Sequence, residues 1–243
     1  IDTQLTRLFS SAKEGDRSTI GKFGIGFTSV FALEPTLVKV LTGRHGENWE
    51  LLFHQDRSFE RRVYDGALQG TTVTLYKRMR QGAVADTVRN ARDTLVRWCE
   101  HAQTPITFRD ATGGESDPDG TSEGSGADDV FAAFAEDTAP LTINKPFALD
   151  DAQLQITHVD GDVEVVIGTT WNPTWGFFSG GLTLLRTEDP THLSDRYHAT
   201  VGHLAFKVRS RRIEHTLTRD NVIQDDAWHD AMAVVEVAAR ELR

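Results

Sequence analysis

The sequence predicts an α+β protein built twice over, with two folded units joined through an acidic stretch. Three observations carry that prediction. Short runs alternating apolar and polar residues recur between turn signals, as half-buried strands require. Apolar residues recur at helical spacing near the start, the middle and the end of the chain. Between them, residues 110–129 read DATGGESDPDGTSEGSGADD, with five glycines, seven acids and no base. Such a stretch cannot bury enough surface to offset an ordering cost of roughly 1–2 kcal/mol per residue. It is expected to be a mobile boundary, giving a first unit over 1–109, a linker over 110–129 and a second unit over 130–243. A length of 243 residues accommodates two such domains.

In chain order, Leu5, Leu8, Phe9 and Ala12 share one helical face and predict a short helix over about residues 2–12. A glycine-rich turn follows, and Val30, Phe31 and Leu33 suggest a second helix stopping near Pro35. The runs TLVKVLT, WELLFH, SFERRVY and TTVTLY then read as strands, separated by turn signals such as RHGEN and DGALQG. Asp86 is the candidate N-cap of a stronger helix whose stripe is Val88, Ala91, Leu95 and Trp98/Cys99. TPITF is expected to close the first unit as a strand. Beyond the acidic stretch, AQLQITHV and VEVVIGTTW flank Asp-Gly-Asp as a hairpin. GGLTLLRT and HLAFKVRS read as strands, the second with Leu204, Phe206 and Val208 alternating inward. The last helix follows Asp225–Asp226 and stripes Trp228, Met232, Val235, Ala239 and Leu242. The aromatic cluster Trp171 to Phe178, in a loop marked by Gly and Pro, is read as core of the second unit rather than an exposed surface.

Composition narrows the function classes. Apolar residues make up 39% and charged residues 26%, enough to build real cores. No run approaches the ~20 apolar residues of a membrane span, so no membrane partner is expected. The lone Cys99 excludes an internal disulfide framework and a thiolate zinc site, fits a reducing cytoplasm, and is expected in the core. Nine histidines show no paired spacing that predicts a metal site. Residues 1–109 hold 16 bases and 12 acids, whereas 130–243 hold 10 bases and 17 acids. The clustered basic face that nucleic acid needs is not evident, so no nucleic-acid partner is expected. A chain opening on Ile1, with no initiator Met and no leader, reads as a trimmed piece.

The most informative stretch is Ile20-Gly21-Lys22-Phe23-Gly24-Ile25-Gly26-Phe27, ahead of a helix. Three glycines free the backbone from Cβ clashes and let successive N–H groups point into one concavity. A helix N-terminus beyond them favours an anion, typically phosphate, and Lys13 and Lys22 add cationic reach. The spacing is neither the Walker pattern nor the dinucleotide fingerprint. By itself the turn leaves two readings open: a phosphate cradle, or a tight turn where glycine only permits close packing. Arg209, Arg211 and Arg212 are similarly open, as an exposed strand end or as groups steering a phosphate.

The flanks carry a resemblance as well as the turn. LFSSAKEGDRSTIGKFGIGFTSVFAL resembles the lid and second glycine motif of the ninety-kilodalton heat-shock chaperones, within the GHKL ATPase superfamily. Gly70-Thr71 resembles the family's Gly-Thr at the floor of the adenine pocket, and TVRNARDTLVRWCEHA with QTPITF resembles the end of its nucleotide domain. GGLTLLRTED and HLAFKVRSRRIEHTLTRDNV resemble parts of its middle domain. The resemblance implies an incomplete GHKL (Bergerat) α/β sandwich, the acidic linker, and the start of a middle-domain-like α/β unit.

It also implies roles. Gly21, Gly24 and Gly26, with Ile25 and Phe27, would offer backbone N–H groups to the phosphates of ATP. Ser11, Lys13 and Gly15 would belong to a mobile lid that excludes water on closing. Thr71 would face the adenine. Arg219 would reach the γ-phosphate from the second unit, making hydrolysis conditional on docking. The family's glutamine four residues after that arginine is Ile223 here, with Gln224 one further on. The family's catalytic glutamate, its Mg2+-binding asparagine and its Asp-x-Gly-x-Gly motif would lie upstream of Ile1. These 243 residues alone are therefore expected to turn over no ATP. The resemblance implies a cytoplasmic, homodimeric chaperone whose ATP-driven closure remodels client proteins. Its rivals are another GHKL ATPase of the DNA-repair or topoisomerase type, and a GHKL-fold scaffold that does not hydrolyse ATP.

Overall fold

The computed structural model describes residues 27–56, 58–112, 139–216 and 221–243. The helix expected over 2–12, the glycine turn and most of the acidic stretch lie outside the described residues. Two compact units divide between Val84 and Ala85.

The first unit is a four-stranded antiparallel sheet in the order β3-β2-β1-β4. Its strands are β1 (Leu37–Arg44), β2 (Glu47–His54), β3 (Phe59–Val63) and β4 (Gly70–Tyr76). All four coincide closely with the alternating runs, because each pattern needs only its own residues to be read. Arg44 pairs with Glu47 across the two-residue turn His45-Gly46, both at positive φ (54° and 84°), the geometry that suits the twist of a tight hairpin. Val38, Val40, Leu51 and Phe53 form the core of this sheet, with Phe27, Val30 and Trp49 packed on it. The expected second helix is a 3-10 helix, Phe27–Leu33. Short 3-10 turns suit a segment that Pro35 stops at once. Lys77 Nζ donates to the Leu33 carbonyl at 2.6 Å and satisfies its end.

The division falls within the first turns of α1 (Gln81–Cys99), which begins five residues before the expected cap. Asp86 is therefore inside the helix, where it pairs with Arg89 at 3.4 Å instead of capping. Val88, Leu95 and Cys99 of the expected stripe are half-buried, so Cys99 falls short of the core placement expected for it; Ala91 is exposed and Trp98 is 38% exposed, and Val96 is half-buried in their place. Burial pushes the Cys99 thiol pKa up.

The TPITF strand is reduced to β5 (Thr107–Phe108), and its partner is β6 (Leu141–Thr142), beyond the acidic stretch. The Asn144 side chain donates to the carbonyls of Ala102 and Thr104 and accepts from Ile106 N–H. Residues 100–108 thus belong with the second unit. The division ahead of 110 was not legible, because it depends on pairing across some thirty residues.

The main sheet of this unit runs β10-β9-β11-β8-β7. Its strands are β7 (Leu154–Asp160), β8 (Val163–Thr169), β9 (Trp175–Ser179), β10 (Leu182–Thr187) and β11 (Ala205–Arg209). The β9–β11 pair is parallel and the other neighbours are antiparallel. β9 was expected as a loop. The core assignment of its aromatics holds for Trp175, Phe177 and Phe178, all within 2% exposure, whereas Trp171 is 84% exposed. A short helix, α2 (Asp195–Val201), precedes β11.

α3 (Asp226–Glu241) lies on one sheet face, its Trp228, Met232 and Val235 buried among Val165, Ile167, Phe177 and Phe206. Asp225 caps it, accepting from Trp228 N–H at 3.1 Å. Asp225→Ala should destabilise this unit by about 1 kcal/mol, read as a shift in its urea midpoint with an unchanged slope. The opposite face buries Val166 and Ala205 with Leu149, flanked by Phe147 and Ala152. Both faces of the central strands are therefore covered.

Candidate functional site

Of the residues proposed from sequence, Lys13, Gly21, Lys22, Phe23, Gly24, Ile25, Gly26 and Arg219 lie outside the described residues, as do Ser11 and Gly15. Phe27 and Thr71 are described, and both belong to the first sheet. Phe27 opens the 3-10 helix, its ring 5.3 Å from Phe53 and 6.0 Å from Phe31, centroid to centroid. A seven-residue 3-10 helix carries a weaker dipole than the α-helix expected there.

Thr71 stands opposite Thr42 of β1, and the two hydroxyls are 2.8 Å apart. Val38, opposite Phe53, and Thr42 share one face of β1, because alternate residues point the same way. Phe27 and Thr71 therefore mark two ends of one sheet face, four residues apart along β1, or about 13 Å.

A cavity of about 300 Å³ lies at the Thr42 end, lined by Thr42, Gly43, Arg44, Glu47, Trp49 and Arg61. Arg61 sits over the Trp49 ring at 4.8 Å. Gly43 is required there: a Cβ would fall 2.3 Å from Asn48 Oδ1 and 2.6 Å from the Leu68 carbonyl. Asn48 Nδ2 donates to Gly66 O at 2.6 Å, while its buried Oδ1 has no partner among the described residues. An aromatic face and a pair of hydroxyls thus gather at this end, while Asn48, opposite Gly43, stands on the other face of the sheet.

In the second unit, the described residues on either side of 217–220 pair with each other. His215 bridges Val222, and Thr216 N–H donates to Asn221 O at 2.8 Å. Gln224 donates to the His192 carbonyl at 3.2 Å. The basic run is engaged by protein groups. Arg209 Nε binds Glu164 at 2.8 Å, Arg211 binds Gln103 at 3.1 Å, and Arg212 binds both Asp162 and Asp230 at 3.2 Å. Asp162, ahead of Asp230, holds the Arg212 pKa above its ordinary value.

A second cluster escaped the sequence reading. Glu100, His101 and Lys207 are 3–4% exposed, and Lys207 Nζ lies 2.9 Å from His101 Nε2. Glu100 Oε1 is 3.3 Å from Arg186 and 3.8 Å from Lys207; Asp150 is 3.6 Å from Lys207. Burial pushes the Lys207 ammonium below the ordinary lysine range, with Glu100 and Asp150 opposing that shift. Alternation along β11 placed Lys207 outward, opposite Phe206 and Val208. The only hint was that outward positions of a central strand can also be covered. The same covering segment approaches Gly181, at φ +83°, where a Cβ would fall 1.9 Å from the His101 carbonyl.

Among the described residues, no three His, Cys, Asp or Glu side chains gather as a metal-binding group, and no helix is long and apolar enough to cross a membrane. No protein-family model matches the chain. The chain is similar to the chaperone protein HtpG of Rhodospirillum rubrum, 33% identical over 118 residues, which is 48% of this chain. The match spans 18% of that chaperone's length. This partial likeness relates the chain, at a distance, to the ninety-kilodalton heat-shock chaperones.

Proposed function

We propose that this chain is the nucleotide-responsive part of an ATP-driven chaperone that acts on client proteins as a homodimer. The observation that carries the reading is the likeness to HtpG, a protein named as a chaperone. The geometry of the first sheet supports it. Thr71 and Thr42, with Trp49, suit a flat polar base. Phe27, at the other end of the same face, follows in sequence the glycine turn expected to take the phosphates. ATP bound this way would supply the scissile γ-phosphoryl bond; Arg219, from the second unit, would approach only on docking. The Mg2+-binding asparagine that the resemblance implies would lie upstream of Ile1.

The test is a nucleotide titration of the intact protein, following Trp49 fluorescence or the heat of binding. Gly24→Val should remove binding, since a side chain would block the approach of backbone N–H groups to phosphate. Thr71→Val should weaken binding about fivefold, the worth of roughly one hydrogen bond. Equal affinity for all three proteins would overturn the reading.

A further inference from the structure

We propose that His101 is a pH-sensitive latch: its neutral imidazole holds residues 100–108 on the five-stranded sheet, and its protonation releases them. The inference stands independently of nucleotide binding, because every group involved lies in the second unit.

The imidazole sits edge-on between two rings, with centroids 5.1 Å from Phe147 and 5.2 Å from Phe178. An ammonium has only donors, so the 2.9 Å contact with Lys207 requires Nε2 to accept. The proton must then reside on Nδ1, which donates to the Lys145 carbonyl at 3.2 Å. Both nitrogens are committed, and only a neutral ring satisfies both bonds. A proton added at Nε2 would set two donors face to face and a second cation beside Lys207, in a site almost closed to water.

The surrounding charges give that proton little relief. Glu100 Oε1, on the same segment, is 3.5 Å from Nε2 but is already shared with Arg186 of β10 and Lys207 of β11. Lys145 comes from the stretch after β6 and lies 3.9 Å from Glu100. Asp150 faces Lys207 and Arg186 at 3.6 and 3.7 Å. Arg209, at the end of β11, lies over the Phe147 ring at 4.7 Å and pairs with Glu164.

Burial holds the His101 pKa below the ordinary histidine value, and Lys207 adds to that; the Lys145 carbonyl, Glu100 and Asp150 act against it. The sign follows. The released segment binds a proton at the ordinary value while the latched one does not, so latching is complete above that value. It weakens as pH falls through the ordinary histidine range and levels off below the depressed value.

Release would undo a connected set of bonds. Lys145 N–H donates to Glu100 O, Ile143 N–H to Ile106 O, and the Thr183 hydroxyl to Arg97 O near the end of α1. The test is amide hydrogen exchange of the whole chain at about pH 7.5 and about pH 5.5, corrected for the intrinsic pH dependence of exchange. Amides of Lys145, Ile143 and Ile106 should lose roughly tenfold protection at the lower pH, as one proton taken up near pH 6.5 dictates. Val165 and Phe206, in the sheet core, should not follow them. His101→Gln keeps an acceptor towards Lys207 without a titrating ring, and should abolish the loss. An imidazole NMR titration of the unaltered protein provides a second readout, with a His101 midpoint expected below the ordinary value. Unchanged protection on acidification, the same loss in His101→Gln, or a midpoint at or above the ordinary value would each overturn the latch.

Discussion

Glu100→Gln should destabilise the second unit by about 3–5 kcal/mol, the usual result of stripping one partner from a buried charge. Glu100 is 3% exposed and lies within 4 Å of three cations, Arg186, Lys145 and Lys207. Arg186 and Lys145 are themselves 41% and 52% exposed, so water can take over their charge when the carboxylate is gone. The Lys207 side chain is 5% exposed and has only the half-exposed Asp150 as a remaining anion. Its ammonium therefore accounts for most of the expected loss. Lys207→Met should cost less, because Arg186 still faces the Glu100 carboxylate. The double variant should recover part of the Glu100→Gln loss, since removing both charges removes the uncompensated one. Urea unfolding of the three variants checks the ordering. A loss below 1 kcal/mol for Glu100→Gln would show that the cluster is hydrated rather than buried.

Arg219→Ala should lower kcat for ATP hydrolysis by about 10²–10³-fold in the intact protein, with KM nearly unchanged. The expectation rests on the proposed ATPase reading. Charge develops on the transferring phosphoryl oxygens in the transition state, so an arginine arriving by domain docking stabilises that state more than bound ATP. Arg219→Lys should fall between, keeping the charge but losing the planar fork. Phosphate release at saturating ATP is the measurement. An unchanged kcat would remove Arg219 from the chemistry and favour a scaffold that does not hydrolyse ATP.

Much of the first sheet was legible residue by residue. Val38, Val40 and Thr42 alternate on one face of β1, and His45-Gly46 sets a turn that brings Leu51 and Phe53 opposite them. α3 was equally open to reading, because Asp225 caps it and its stripe from Trp228 to Ala239 repeats at helical spacing. β9 was missed because Trp-Gly-Phe-Phe is a continuous apolar run, and its neighbours Trp171 and Pro173 suggested a loop. Continuous runs arise where both faces of a strand are covered, and the second cover comes from His101, Phe147, Leu149 and Ala152. The start of α1 was missed for a different reason: Asp86 has the chemistry of a cap but forms an ion pair one turn on. At the candidate site, Thr71 was singled out by resemblance, whereas Thr42, Trp49 and Gly43 entered only through the register of β1 against β2 and β4.

Periodicity, turn chemistry and capping need only a handful of neighbouring residues, so the strands of the first sheet, the β7–β8 hairpin and α3 could be read from the chain directly. Burial is collective and obeys no such local rule. Lys207 is enclosed, and His101 neutral, because β5 pairs with β6 across the acidic stretch and brings residues 100–108 over β11. The partners of that cluster are separated by as many as 107 positions along the chain, from Glu100 to Lys207. Their meeting depends on two covered sheet faces excluding water together, which no window of sequence encodes.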